Sequence, residues 1–134
     1  MDIYNTPTWY ASLIKPSFAP PSWLFGPVWS VLYILIAIGF FYTLKLYKAK
    51  KLTKNIITIF VINLLANFAF SPLQFGLQNN LLAMIDILVV WGTLLYLLIK
   101  FWPQQKFLFW SQLPYFFWVS FASILQISIT YLNW

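Results

Sequence analysis

Between Leu24 and Leu44 the chain runs for 21 residues without a charged side chain, and it does so again further on. A second stretch opens at Asn55 and continues to Ile99, interrupted by charge only at Asp86. It is too long for one membrane span and breaks at Phe75-Gly76-Leu77-Gln78-Asn79-Asn80, where Gly ends helices and Asn forms turns. A final uncharged run covers Phe107 to Trp134. Each piece reaches the ~20 residues that cross roughly 30 Å of hydrocarbon. Four transmembrane helices are therefore expected, at about 24–46, 55–75, 81–101 and 107–133, in one all-α integral membrane domain over residues 1–134. A transmembrane β-barrel would need segments of ~10 residues alternating apolar and polar, and no segment sustains that alternation.

The composition agrees. Of 134 residues, 62% are hydrophobic and 22% aromatic, and the charges are eight Lys and two Asp. Soluble domains carry about 25% charged residues, so a soluble enzyme is excluded. The absence of Cys removes disulfides, zinc ribbons and thiol nucleophiles. The absence of His removes the commonest metal ligand and the base of a Ser-His-Asp triad. Asp2 and Asp86 alone cannot cage a divalent cation. No metal site, no conventional catalytic residue and no required cofactor is expected. A bound heme would find neither His nor Cys for its iron, so contact with the macrocycle face is the expected mode.

The net charge of +6 does not point to nucleic acid. Lys45, Lys48, Lys50, Lys51 and Lys54 fall between the first two spans, and Lys100 and Lys106 between the last two. Basic loops beside apolar spans are topology signals, and they place these two loops in the cytoplasm with both termini on the opposite side. Residues 1–23 lack the basic-then-apolar pattern of a signal peptide. Pro16, Pro20 and Pro21 make them an extramembrane segment instead.

Four polar residues of the second span, Asn63, Asn67, Ser71 and Gln74, recur at spacings of 4, 4 and 3 with Phe70 among them. They share one helical face that must point into the bundle. Such a face is either hydrogen-bonding glue between helices or the polar wall of a ligand cavity. Asp86, the one charge well inside a span, is either a buried acceptor or an electrostatic partner for a ligand. Trp29 and Tyr33 lie one turn apart in the first span, and Trp118, Ala122 and Gln126 follow at intervals of four in the last. Trp23, Trp102, Trp110 and Trp134 sit where interfacial Trp is usual. Trp91 and Trp118 sit nearer mid-span, where an indole packs on other rings or stacks on a flat ligand.

Three ordered signatures then resemble the TspO/MBR family, the tryptophan-rich sensory and translocator proteins. The first is Trp9-Tyr10-Ala11-Ser12-Leu13-Ile14-Lys15-Pro16 with Pro20-Pro21 and Phe25-Gly26-Pro27-Val28-Trp29-Ser30-Val31-Leu32-Tyr33. The second is Asn67-Phe68-Ala69-Phe70-Ser71-Pro72-Leu73-Gln74-Phe75-Gly76-Leu77, followed by Asp86. The third is Leu113-Pro114-Tyr115-Phe116-Phe117-Trp118-Val119-Ser120-Phe121-Ala122, ending at Leu132-Asn133. The family has five helices, its first preceding the Trp-Tyr signature, so this chain is expected to correspond to the last four. No basic residue follows Tyr131, which speaks against the family's sterol motif.

The resemblance implies a pocket within the bundle, beneath the loop that precedes the first span here, for porphyrin, heme or other hydrophobic ligands. Carried over residue by residue, its walls are Tyr10, Trp29, Tyr33, Asn67, Phe70, Ser71, Gln74, Asp86, Trp118 and Ala122. The leading expectation is a membrane receptor or sensor binding a porphyrin-like tetrapyrrole. One alternative is light-dependent oxidative breakdown of the bound porphyrin, with Trp9 and Trp29 as the oxidisable indoles. The other is transport of tetrapyrroles or similar small hydrophobic molecules. The lipid bilayer is the expected partner, with a homodimer left open by the resemblance.

Overall fold

The computed structural model describes residues 13–19 and 22–133, with the side chains of residues 22, 74 and 75 outside that description. After a 3-10 turn at Ser22–Leu24 come helices α1 (Phe25–Lys48), α2 (Lys54–Ser71), α3 (Asn80–Phe101) and α4 (Lys106–Leu132). All four are long and apolar enough to cross a membrane. The expected boundaries agree with these within a residue or two, except that α2 gives way at Pro72 to a π-helical turn, Pro72–Gly76.

Local chemistry sets the boundaries. Residues 46–51 close α1 with paired bonds, from Lys51 N to Leu46 O at 2.9 Å and from Lys50 N to Tyr47 O at 2.9 Å. This is the Schellman pattern, with Lys50 in the left-handed conformation (φ 61°) that glycine usually takes. At the end of α2, Pro72 has no amide hydrogen to continue the helical ladder. The chain widens instead, and Leu77 N reaches Pro72 O at 2.8 Å. Asn79 then caps α3 by accepting from Leu82 N at 2.9 Å.

Helix α3 packs between α2 and α4, while α1 lies mainly on α4 and more sparingly on α2. The buried seam runs through Leu32, Ile36, Phe60, Ile87, Leu94, Leu97, Leu108, Tyr115 and Val119. The outward faces carry large apolar side chains such as Phe41, Leu65, Phe68, Phe117 and Ile124, all more than half exposed. In water a surface of that kind would associate. Against hydrocarbon it needs no cover, and the chain is an integral multi-pass membrane protein. The connections α1–α2 and α3–α4 share one end of the bundle, where they and the adjoining helix ends carry seven lysines; the π-turn and the start of α3 mark the other.

One close approach sets the α1–α4 spacing. Gln112, fully buried, donates from Nε2 to Leu35 O at 2.9 Å. A Cβ placed on Gly39 would stand 2.8 Å from the Gln112 Cδ. The amide can clear it only by releasing Leu35. Gly39→Ala is expected to cost about 1–3 kcal/mol of stability, read by thermal unfolding in detergent. The loss should vanish in a Gln112→Ala background; an equal loss there would mean that another contact carries it.

Candidate ligand-binding site

Of the polar face expected on α2, Asn63 and Asn67 point inward. Asn63 is fully buried and Asn67 nearly so, and both meet Tyr115 of α4. Asn67 Nδ2 donates to the Tyr115 hydroxyl at 2.7 Å, and that hydroxyl donates to Asn63 Oδ1 at 3.0 Å. Asn63 Nδ2 reaches Val90 O and Thr93 Oγ1 of α3, each at 3.0 Å. The Tyr33 hydroxyl of α1 donates to Asn67 Oδ1 at 3.1 Å. One network thus ties all four helices. It commits both groups of the Asn67 amide to protein partners, so in this conformation Asn67 forms a floor rather than an open contact.

Toward the end opposite the lysines the pattern changes. Among the described residues four buried side-chain atoms have no hydrogen-bond partner: Gln112 Oε1, toward the lysine end, and here Asp86 Oδ2, Trp118 Nε1 and Ser123 Oγ. The bonds from Trp91 Nε1 to Ser120 Oγ (2.8 Å) and from Gln126 Nε2 to Asn80 O (3.1 Å) fix the antiparallel register of α3 and α4. Asp86 falls between these rungs, which brings Ser123 level with it. Asp86 lies six residues from Asn80, about 9 Å along the helix. The α2–α3 bonds from Asn63 put it level with the stretch from Asn67 to Phe70. Buried polar groups are almost always paired. One acceptor and two donors left unpaired on the facing helices α3 and α4 are what a site holding a polar-edged ligand would leave when empty.

Rings frame these atoms. Trp118 meets Phe25 edge-on at 5.8 Å and Phe121 at 5.6 Å. Trp29 lies 5.5 Å from Tyr33 and 6.5 Å from Tyr115. Phe70, Trp29, Trp118 and Ala122 all pack, partly buried, against the main core. Ser71 is half-buried at the end of α2. Tyr33 stays 41% exposed, so it borders the interior by its hydroxyl more than by its ring. Tyr10, Trp9, Trp134 and the side chain of Gln74 lie outside the described residues. Trp91, the other mid-span indole, stacks on Phe116 at 5.7 Å and is satisfied by Ser120. Trp23, Trp102 and Trp110 are exposed, as their interfacial positions suggest. Gln126 bonds to Asn80 O and Thr130 and so braces α3 against α4.

Two residues of this region escape a reading of the sequence alone. Tyr115 lies inside a quoted signature without standing out, and Ser123 follows it by two turns. The available signal is the spacing Gln112, Tyr115, Ser123, Gln126 and Thr130, which places these five polar residues on one α4 face. All five are buried.

Residues 13–19 lie against the last turns of α4. Ile14 N donates to Asn133 Oδ1 at 2.9 Å, and Asn133 Nδ2 returns a bond to Ile14 O at 2.8 Å. Phe18 meets Phe121 at 6.1 Å, and Leu13 and Ala19 pack near Leu125 and Ile129. The segment before α1 is thereby strapped to the helix that carries Trp118 and Ser123. Asn133→Leu removes both rungs of the clamp, and chymotrypsin should then cut after the exposed Phe18 several times faster. An unchanged rate would assign the hold to the ring contacts alone.

The model of the TspO/MBR family matches residues 1–132, almost the entire chain. This chain belongs to the TspO/MBR family. The Tryptophan-rich protein TspO of Chlorobaculum tepidum is 34% identical over 125 residues, covering 93% of this chain and 79% of that one. The protein of the same name from Archaeoglobus fulgidus is 36% identical, covering 94% and 80%. The human Translocator protein is 34% identical over 87 residues, 63% of this TspO/MBR chain and 50% of its own.

Proposed function

We propose that this chain is a membrane receptor or sensor that takes a flat, porphyrin-like tetrapyrrole into the bundle half opposite the lysines. The observation that carries this reading is the group of buried, partnerless atoms Asp86 Oδ2, Trp118 Nε1 and Ser123 Oγ. A porphyrin offers N–H donors at its centre and carboxylates at its edge. The indole and hydroxyl hydrogens suit those carboxylates, and the Asp86 oxygen suits a donor. Trp29, Phe70 and Trp118 supply aromatic faces for the ring, Ser71 extends the polar side, and Ala122 leaves room.

Binding is favoured over coupled transport because Asp86 is the sole acidic side chain among the described residues. Ion-coupled translocation ordinarily uses several ionisable groups or broken helices at the midplane. Light-driven porphyrin breakdown draws support from Trp29, an indole set beside two phenols, Tyr33 and Tyr115. Illumination in air would then yield a new absorbing product that denatured protein does not give.

Titration of the purified protein with protoporphyrin, followed by porphyrin absorbance, should saturate at one per chain. Trp118→Ala should weaken binding about tenfold or more, a change of about 1.4 kcal/mol. An affinity unchanged in that variant would remove the pocket assignment.

A further inference from the structure

A concavity lies on the outside of the bundle, away from the aromatic interior. It is an open groove of about 850 Å³ running along α1 from Ile34 to Lys45, with Phe107 of α4 at its far end. Ile34, Ala37, Ile38, Phe41 and Lys45 follow one another at helical spacing, so they form one stripe. Ala37 supplies the depth, because its neighbours along the stripe are bulky. Tyr42 and Phe107, with ring centroids 5.1 Å apart, join α1 to α4 where the groove meets the lysine end.

Three features select the occupant. The first is length: the eleven steps from Ile34 to Lys45, at 1.5 Å each, give about 16 Å, half of the ~30 Å hydrocarbon core and so the depth of one leaflet. The second is polarity, since the lining is apolar except at one end, where the exposed Lys45 ammonium and the Tyr42 hydroxyl stand. The third is charge. Among the described residues the sole carboxylate side chain is Asp86, in the other half of the bundle, so Lys45 has no acidic partner there. The neighbouring Lys106 is already engaged, its amine 3.5 Å from the centre of the Trp102 ring. An acyl-length apolar slot ending in an uncompensated ammonium matches one molecule of anionic phospholipid from the lysine-side leaflet.

We infer that this groove is a binding site for a single anionic phospholipid, its acyl chain along α1 and its phosphate at Lys45. The remaining loop lysines attract the same leaflet diffusely; the groove adds a defined seat.

The test is reconstitution in vesicles of equal palmitoyl-oleoyl phosphatidylglycerol and phosphatidylcholine, extraction in mild detergent, and native mass spectrometry of retained lipid. One phosphatidylglycerol per chain is expected, enriched about fivefold over phosphatidylcholine, in line with one lysine contact. Lys45→Gln should abolish the enrichment, and Ala37→Trp, which fills the slot, should abolish retention of both lipids. Lys51→Gln, in the loop and off the groove, should change neither. The inference is overturned if Lys45→Gln keeps the preference, or if Lys51→Gln lowers it equally, which would reduce it to diffuse charge. It is also overturned if Ala37→Trp shifts the oligomeric state while lipid retention persists, which would give the groove to a second copy of the chain.

Discussion

Tyr115→Ala is expected to lower the stability of the bundle by about 3–5 kcal/mol, the range for truncating a large buried ring. The side chain is fully buried, and its hydroxyl joins Asn67 to Asn63 at the point where all four helices meet. In a membrane the ring gains little from leaving water, since lipid is as apolar as the core. Its contribution comes from filling space and from hydrogen bonds. Removing it opens a void and frees amide groups of two buried asparagines. Tyr115→Phe keeps the ring and loses only the hydroxyl. With interhelical hydrogen bonds averaging ~0.6 kcal/mol and reaching ~1.7, that variant should lose about 1–2 kcal/mol. Reversible unfolding in mixed micelles checks both. A loss below about 1 kcal/mol for Tyr115→Ala would contradict the role of Tyr115 as the hub, on the scale of buried truncations.

Asp86→Leu should act in the opposite sense on stability. A carboxylate within a span costs about 2.5–3.5 kcal/mol at the helix centre and less toward the ends. Asp86 sits between those limits, with one oxygen buried and unpaired. The variant is therefore expected to gain about 1–3 kcal/mol when empty. The same variant should bind protoporphyrin at least tenfold more weakly, because the acceptor facing the ligand is gone. Stability and binding then move in opposite directions, the mark of a residue kept for function at a cost to the fold. Lower stability in Asp86→Leu would show that the carboxylate holds the bundle together, and would leave the ligand without this contact. Asp86→Asn should fall between the two.

Most of the fold was legible because a bilayer imposes few choices. Long uncharged runs must be helices, and the Gly and Asn between the second and third mark the turn. The exit from α2 was less legible. The expected span runs on to about residue 75, whereas the chain widens at Pro72 into a π-helical turn before Asn79 caps α3. At the site, periodicity found the inward face of α2 but could not say what its amides touch. That depends on the α2–α4 register, which spacing within one helix does not contain. The result divides the face: Asn63 and Asn67 belong to the hub, and the unpaired atoms lie on α3 and α4. Ser123 does not stand out because a Ser in an apolar helix ordinarily bonds back to its own turn. Its spacing from Tyr115 and Gln126 puts it on the inward face, and its lack of any partner among the described residues singles it out.

The most direct test of the binding site is to let the ligand mark its own position. Protoporphyrin bound to the protein and illuminated in air oxidises the indoles nearest to it, and peptide mass spectrometry locates them. Trp118 and Trp29, partly buried around the proposed seat, should be modified first, ahead of the exposed Trp23, Trp102 and Trp110. Oxidation led by Trp23, Trp102 or Trp110, with Trp118 intact, would place the porphyrin on the outside of the bundle and contradict an interior site.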